Sequence, residues 1–164
     1  MNKLDSSNLQ LNSQWIVWYH DKVDNWTING YKNIYTINNI RSFWDFNNYI
    51  NTIGGINCMN FFLMRDNITP IWEDEKNKNG GCWSILIPIS DTVNIWNKLS
   101  AHILGETFIE KYPNLITGIS ISQKNNVSII KIWNNDKNIK DQTLLPDYLI
   151  KYGNIIYRPH KLMY

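Results

Sequence analysis

Apolar residues spaced at strand and helix periods divide this chain into short strands and a few helices. Trp15-Ile16-Val17-Trp18-Tyr19 is aromatic and β-branched, which predicts a strand. A charged loop, His20 to Asn25, then carries Trp26, and Tyr31 to Tyr35 reads as a second strand. Ile40, Phe43, Trp44, Asn47 and Ile50 fall at helical spacing, so a short helix is expected from Ile40 to Ile50. Asn60 to Met64 is strand-like, Asp66-Asn67-Ile68-Thr69-Pro70 is turn chemistry, and Trp83 to Ile87 reads as a strand after Gly80-Gly81. A longer helix is expected with Asp91 as N-cap, a stripe of Val93, Trp96, Leu99, Ser100 and Ile103, and Gly105 as terminator. Ile116 to Gln123 and Val127 to Trp133 form a hairpin through Lys124-Asn125-Asn126. A short helix around Pro146 to Tyr152 and a strand at Ile155 to Tyr157 complete the reading.

Strands interrupted by two or three helices predict an α+β domain, an antiparallel sheet with helices packed on one face. Residues 1–164 form one domain on this reading, with the polar residues 1–12 a flexible arm. Trp15, Trp18, Trp83 and Trp96 are assigned to the core.

Composition narrows the function. Sixteen Lys and Arg against fourteen Asp and Glu give a net charge of +2, too little to grip a long phosphate backbone, so any nucleic acid must be held locally. No apolar run approaches the ~18 residues of a membrane span, and no leader is recognisable, so a soluble cytoplasmic protein is expected. Cys58 and Cys82 lie outside any C-x-x-C arrangement and His20, His102 and His160 do not cluster with them, so neither metal nor other cofactor is expected. No histidine–carboxylate pair or phosphate loop marks an enzyme. Eight tryptophans are the unusual figure, because indoles supply flat faces as well as bulk. Frequent Asn and Ile suit an A/T-rich genome.

The sharpest segment is Pro70-Ile71-Trp72-Glu73-Asp74-Glu75-Lys76-Asn77-Lys78-Asn79-Gly80-Gly81-Cys82-Trp83. Around it stand Trp15-x-x-Trp18-Tyr19, Trp26, Phe43-Trp44, the Gly105-Glu106 pair and Ile130-Lys131-Ile132-Trp133. In content and order these resemble the eukaryotic cap-binding translation initiation factor 4E family, from about Trp15 to Trp133. The resemblance implies a curved antiparallel sheet of about eight strands, helices on its convex face, and the 5′ cap of messenger RNA in the concave one. Trp26 and Trp72 match the pair that sandwiches N7-methylguanine, Glu73 the carboxylate that reads guanine N1–H and N2, and Trp133 the contact with the methyl group. The physics agrees: base stacking on an aromatic ring is worth about 1–3 kcal/mol and a desolvated cation–π contact about 2 kcal/mol, which favours the cationic methylated base.

The resemblance also marks departures. Cys82 stands where a phosphate-binding arginine is usual, and Lys124 keeps a basic position in the hairpin while Asn126 and Ile129 are neutral. Strand alternation puts Lys131 on the same side as Trp133, where it is expected to take over part of the phosphate contact. The loop before Trp26 is about two residues short, which could alter preference for methylation near the cap. Arg158, His160 and Lys161 resemble a segment that covers the phosphates and next nucleotide, and the chain ends at Tyr164, short of the tail that carries regulatory phosphorylation. On the convex face Trp44, Ile40 and Gly105 match the surface that takes a scaffold resembling initiation factor 4G. Asn97 and Ala101 replace leucines there and Lys98 replaces a glutamate, so a dedicated partner is expected, with the protein a monomer outside that complex. Two roles follow: a factor recruiting capped messages for translation, or a repressor or decoy that binds caps without engaging the usual scaffold.

Overall fold

The computed structural model describes residues 9–21, 24–53, 55 and 60–161. Among the described residues seven strands form one antiparallel sheet, as expected: β1 (Gln10–His20), β2 (Tyr31–Asn39), β3 (Phe61–Arg65), β4 (Gly81–Pro88), β5 (Ile116–Lys124), β6 (Val127–Asn134) and β7 (Ile156–Pro159). Their order across the curved sheet is β2-β1-β3-β5-β6-β4-β7. The helices are α1 (Ile40–Thr52), α2 (Ile89–Leu104) and the single turn α3 (Asp147–Ile150). The expected flexible arm is too long, because residues 10–12 already belong to β1; residues 1–8 and Cys58 lie outside the described residues.

Side-chain alternation separates the two faces. Trp15 and Val17 of β1, Phe61 and Leu63 of β3, Trp83, Ile85 and Ile87 of β4, Ile119 and Ile121 of β5, and Ile130 and Ile132 of β6 all enter the main core. The same cluster takes Phe43, Phe46 and Ile50 from α1 and Ile95, Trp96, Leu99 and Ile103 from α2, so the helices lie on that face. Each fully buried side chain of this size stabilises by roughly 1.5–3 kcal/mol. Phe62, Met64, Cys82 and Trp133 point the other way and form a second, smaller cluster.

Helix α1 begins as expected, and a reciprocal capping box explains why. Ser42 N donates to Asn39 Oδ1 at 2.7 Å, and Asn39 N donates to Ser42 Oγ at 3.1 Å. Helix α2 corrects the expected N-cap: it starts two residues before Asp91, behind Pro88, whose φ of −54° already suits the approach to a helix. Asp91 lies in the first turn and accepts from Tyr152 Oη at 2.7 Å. At the other end Gly105 is the C-cap with φ −80°, and the left-handed residue is Glu106, φ 60°. That turn brings the Glu106 carboxylate onto buried Arg65 in a two-pronged ion pair, Oε1 to Nη1 at 2.5 Å and Oε2 to Nη2 at 3.3 Å. Arg65 also donates from Nε to Ile116 O at 3.0 Å and covers the Trp15 ring at 4.7 Å.

Arg65→Met leaves the Glu106 carboxylate without its partner and is expected to destabilise the fold by about 3 kcal/mol. Urea denaturation with an unchanged m-value is the check.

Candidate functional site

A cavity of about 380 Å³ opens on the face of the sheet opposite the helices. Its walls include Trp26, Tyr31, Phe62, Trp72, Glu73, Ser120, Lys131 and Trp133. The floor is a run of rings packed edge to face, Tyr31 on Phe62 at 5.1 Å and Phe62 on Trp133 at 6.1 Å. The Trp133 N–H is taken by Ser120 Oγ at 3.1 Å, which holds the indole in the floor of the cavity.

The rim is different. Trp26 is 54% exposed and Trp72 36%, although both are large apolar side chains on the wall of one cavity. Each is carried by a loop with its own internal bracing. Before Trp26, Asn25 Oδ1 accepts from Thr27 N at 3.1 Å and Thr27 Oγ1 at 2.6 Å. Gly30 is required there, since a Cβ would lie 1.9 Å from Asn25 O.

The loop bearing Trp72 is built around Asp74 and Asn77. Asp74 Oδ2 accepts from Thr69 N at 2.8 Å and Thr69 Oγ1 at 2.6 Å, and its Oδ1 accepts from Lys76 N at 2.9 Å. Fully buried Asn77 donates from Nδ2 to Thr69 O at 3.0 Å and Ile71 O at 2.9 Å. Glu75 pairs with Lys78 at 2.7 Å. Of the three consecutive acids, Glu73 alone makes no ion pair or hydrogen bond among the described residues, and it faces the cavity. Its charge reaches Tyr31, whose hydroxyl is pushed up to about 12, chiefly by burial and then by Glu73.

The structure brings Trp26, Trp72, Glu73, Trp133 and Lys131 together on one cavity and leaves Lys124 outside it, exposed at the end of β5. Arg158 and Lys161 are also exposed beyond the cavity wall. Arg158 lies opposite Cys82 in the β4–β7 ladder, and Trp133 lies opposite Cys82 in the β4–β6 ladder. Burial pushes the Cys82 thiol up, while the charges of Lys131 and Arg158 pull it the other way. Two cations therefore flank the neutral residue at position 82, and among the described residues neither forms a salt bridge.

His160, unlike its exposed neighbours Arg158 and Lys161, turns inward. It is buried, stacks against Trp72 at 5.6 Å and leans on Trp133 at 4.9 Å. Its Nδ1 is 2.8 Å from Asn77 O, so that nitrogen carries the proton and Nε2 is left buried without a partner. The reason is local: His160 N donates to Gly80 O, and Gly81 lets the β7 backbone approach so closely that a Cβ would meet Arg158 O at 2.5 Å. Sequence reasoning had no signal for the bracing role of Asn77 or for His20, which stacks beneath Trp26.

On the helical face Trp44 is half exposed and Ile40 partly so, while Asn97, Lys98, Ala101 and Gly105 line the outer side of α2. Lys98 does not extend freely: its Nζ lies 4.3 Å over the ring of Tyr148 from α3, whose hydroxyl is 3.3 Å from His102 Nδ1.

A family model described as eukaryotic initiation factor 4E matches residues 10–154. The chain belongs to that family. Among initiation factor 4E relatives it is 31% identical to translation initiation factor 4E-1 of Caenorhabditis elegans over 78% of its own length and 63% of that protein. It is 30% identical to human initiation factor 4E over 75% of its length and 59% of that protein. The chain thus spans about three-fifths of these relatives. The fold matches C. elegans eIF4E-3, solved with the 4E-binding protein Mextli and a cap analog, at TM-score 0.78 and 23% identity over 93% of this chain and 92% of that one. Ascaris suum eIF4E-3, solved with an m2,2,7G cap, matches at TM-score 0.76 and 22% identity over 95% and 93% of the two chains.

The buried imidazole gives this initiation factor 4E domain an acid sensitivity. Burial holds the His160 pKa below its ordinary value of 6.5, followed in effect by the opposing Asn77 bond and the nearby Lys131 charge. The unfolded chain binds that proton first, so the stability is complete above pH 6.5 and is lost as pH falls from there toward the depressed folded value. Thermal midpoints measured from pH 7.5 down to 5.5 should fall more steeply for the unaltered protein than for His160→Gln.

Proposed function

We propose that this protein binds the N7-methylguanosine cap of messenger RNA and brings capped messages to translation initiation in the cytoplasm, acting as a binding protein rather than an enzyme. One observation carries the reading: two exposed indoles and an unpartnered carboxylate converge on a single cavity. Trp26 and Trp72 supply the faces that attract a cationic base, Trp133 supplies the surface for the methyl group, and Glu73 accepts from guanine N1–H and N2. Adenine offers no such donor pair. Lys131, on the cavity wall, and Arg158, beyond Cys82, take the phosphates in place of the missing arginine. Lys124 and Lys161 are left to the next nucleotide.

Quenching of tryptophan fluorescence by methylated and unmethylated cap analogues is the direct test. The methylated analogue is expected to bind more tightly, and Glu73→Gln to lose about 1–3 kcal/mol with most of the guanine preference. Lys131→Ala is expected to weaken binding and flatten its dependence on salt, since one phosphate contact is gone. Equal affinity for both analogues sinks the proposal, and an unchanged salt slope removes Lys131 from the site.

A second reading, a cap-binding repressor or decoy, is favoured by one feature of the other face. Lys98 of α2 lies over Tyr148 of α3, at a position where the resemblance places an acid that meets a basic residue of the scaffold. A cation there repels such a peptide and attracts one bearing an acid, so the scaffold is expected to be a dedicated one. In pull-downs, an acid-swapped version of a Tyr-x-x-x-x-Leu peptide should be retained better than the standard sequence; the opposite preference restores the ordinary scaffold.

A further inference from the structure

Both indoles on the cavity rim are backed by a buried imidazole. His20 is 2% exposed and stacks on Trp26 with ring centroids 4.2 Å apart and planes 11° from parallel. His160, 8% exposed, stacks on Trp72 at 5.6 Å and 10°. Neither imidazole is among the residues lining the cavity, so each ring packs on its indole without forming the cavity wall itself.

The two are not equally committed. His160 also braces Trp133 and the Asn77 carbonyl. His20 is arranged around Trp26. Its Nε2 bonds to Asn25 O at 2.9 Å, the carbonyl immediately before Trp26 in the chain. Its backbone N–H donates to the carbonyl of Asn60, a cavity residue, at 3.1 Å. Tyr31, another wall residue, closes its remaining side at 4.6 Å, and Gly30 leaves room for Nε2, which an added Cβ would approach to 3.3 Å. Among the described residues His20 is the ring stacked on Trp26. A half-exposed indole on a loop, with one face pinned and the other open, has its plane set before any ligand arrives.

We propose that His20 is a positioning residue for cap binding: its ring fixes the plane of Trp26, so the methylated base enters a slot already formed. This rests on the reading of the cavity as a methylguanine site. An indole that must instead be ordered during binding loses part of the affinity to that ordering, which corresponds to roughly 3- to 10-fold for one such side chain.

The test is isothermal titration of methylated cap analogue into the full chain carrying His20→Ala, His20→Gln or His20→Phe, with thermal midpoints recorded alongside. His20→Ala and His20→Gln are expected to bind about 3- to 10-fold more weakly with a less favourable binding entropy, the glutamine because it can still bond Asn25 O but offers no ring. His20→Phe restores a ring and is expected to return affinity to within about twofold of the unaltered protein, which separates stacking from general damage to the fold. Equal binding by the unaltered protein and His20→Ala overturns the inference alone, as does phenylalanine no better than alanine. Failure of the unaltered protein to bind the analogue overturns the cavity reading and this inference with it.

Discussion

The two-residue period of the antiparallel strand is the constraint from which both faces of this protein follow. In β6, Ile130 and Ile132 enter the core beneath the helices, so Lys131 and Trp133 must face the cavity. In β3, Phe61 and Leu63 go one way and Phe62 and Met64 the other. The ladder carries this across strands, since Trp133 is opposite Cys82 and Cys82 is opposite Arg158. A slip of one residue in β6 would bury a lysine and expose two isoleucines, so packing beneath the helices holds the register of the binding face.

Within that frame, the charge left free at the cavity depends on which charges the fold has already paired. The acidic run after Trp72 looks uniform as sequence, but its members have separate fates. Asp74 is consumed by three hydrogen bonds that shape the loop, and Glu75 by Lys78. Among the described residues Glu73 is left as an acceptor without a donor, its carboxylate on the cavity wall. At position 82 the logic is reversed. A neutral, buried thiol sits there, and Lys131 and Arg158 flank it from neighbouring strands, so positive charge lies near the cavity on those two residues.

Much of this was legible along the chain because strand and helix periods are strong in it. The α1 start, the α2 stripe and the β5–β6 hairpin follow from spacing and turn residues, and Asn125 takes the left-handed φ of 55° that the turn requires. Asp91 misled because a good capping residue also serves inside a first turn when a proline precedes the helix. Arg65 carries no local signal: its partners Ser13, Glu106 and Ile116 are far apart in sequence, and folding alone brings them together. His20 reads as the first residue of a polar loop, and its burial depends on a close approach of Asn25 to Gly30 that no periodicity encodes. Lys124 has the right charge in the motif yet ends on the exposed tip of a strand, because strand length and not residue type decides how far a hairpin side chain stands from the cavity.

The tryptophans show how one residue type serves opposite ends. Trp15, Trp83 and Trp96 are buried on the helical face, where their area stabilises the fold. Trp26 and Trp72 forgo part of that contribution on the opposite face, and each exposed indole leaves apolar surface in water that folding alone would remove. The sheet can hold them there because its core lies on the other side and does not depend on them. Trp44 and Lys98 belong to the helical face. A substitution there is separated from the cavity by the sheet and its buried core. The cavity face and the helical face can therefore change independently, with Cys82 belonging to the first and Lys98 to the second.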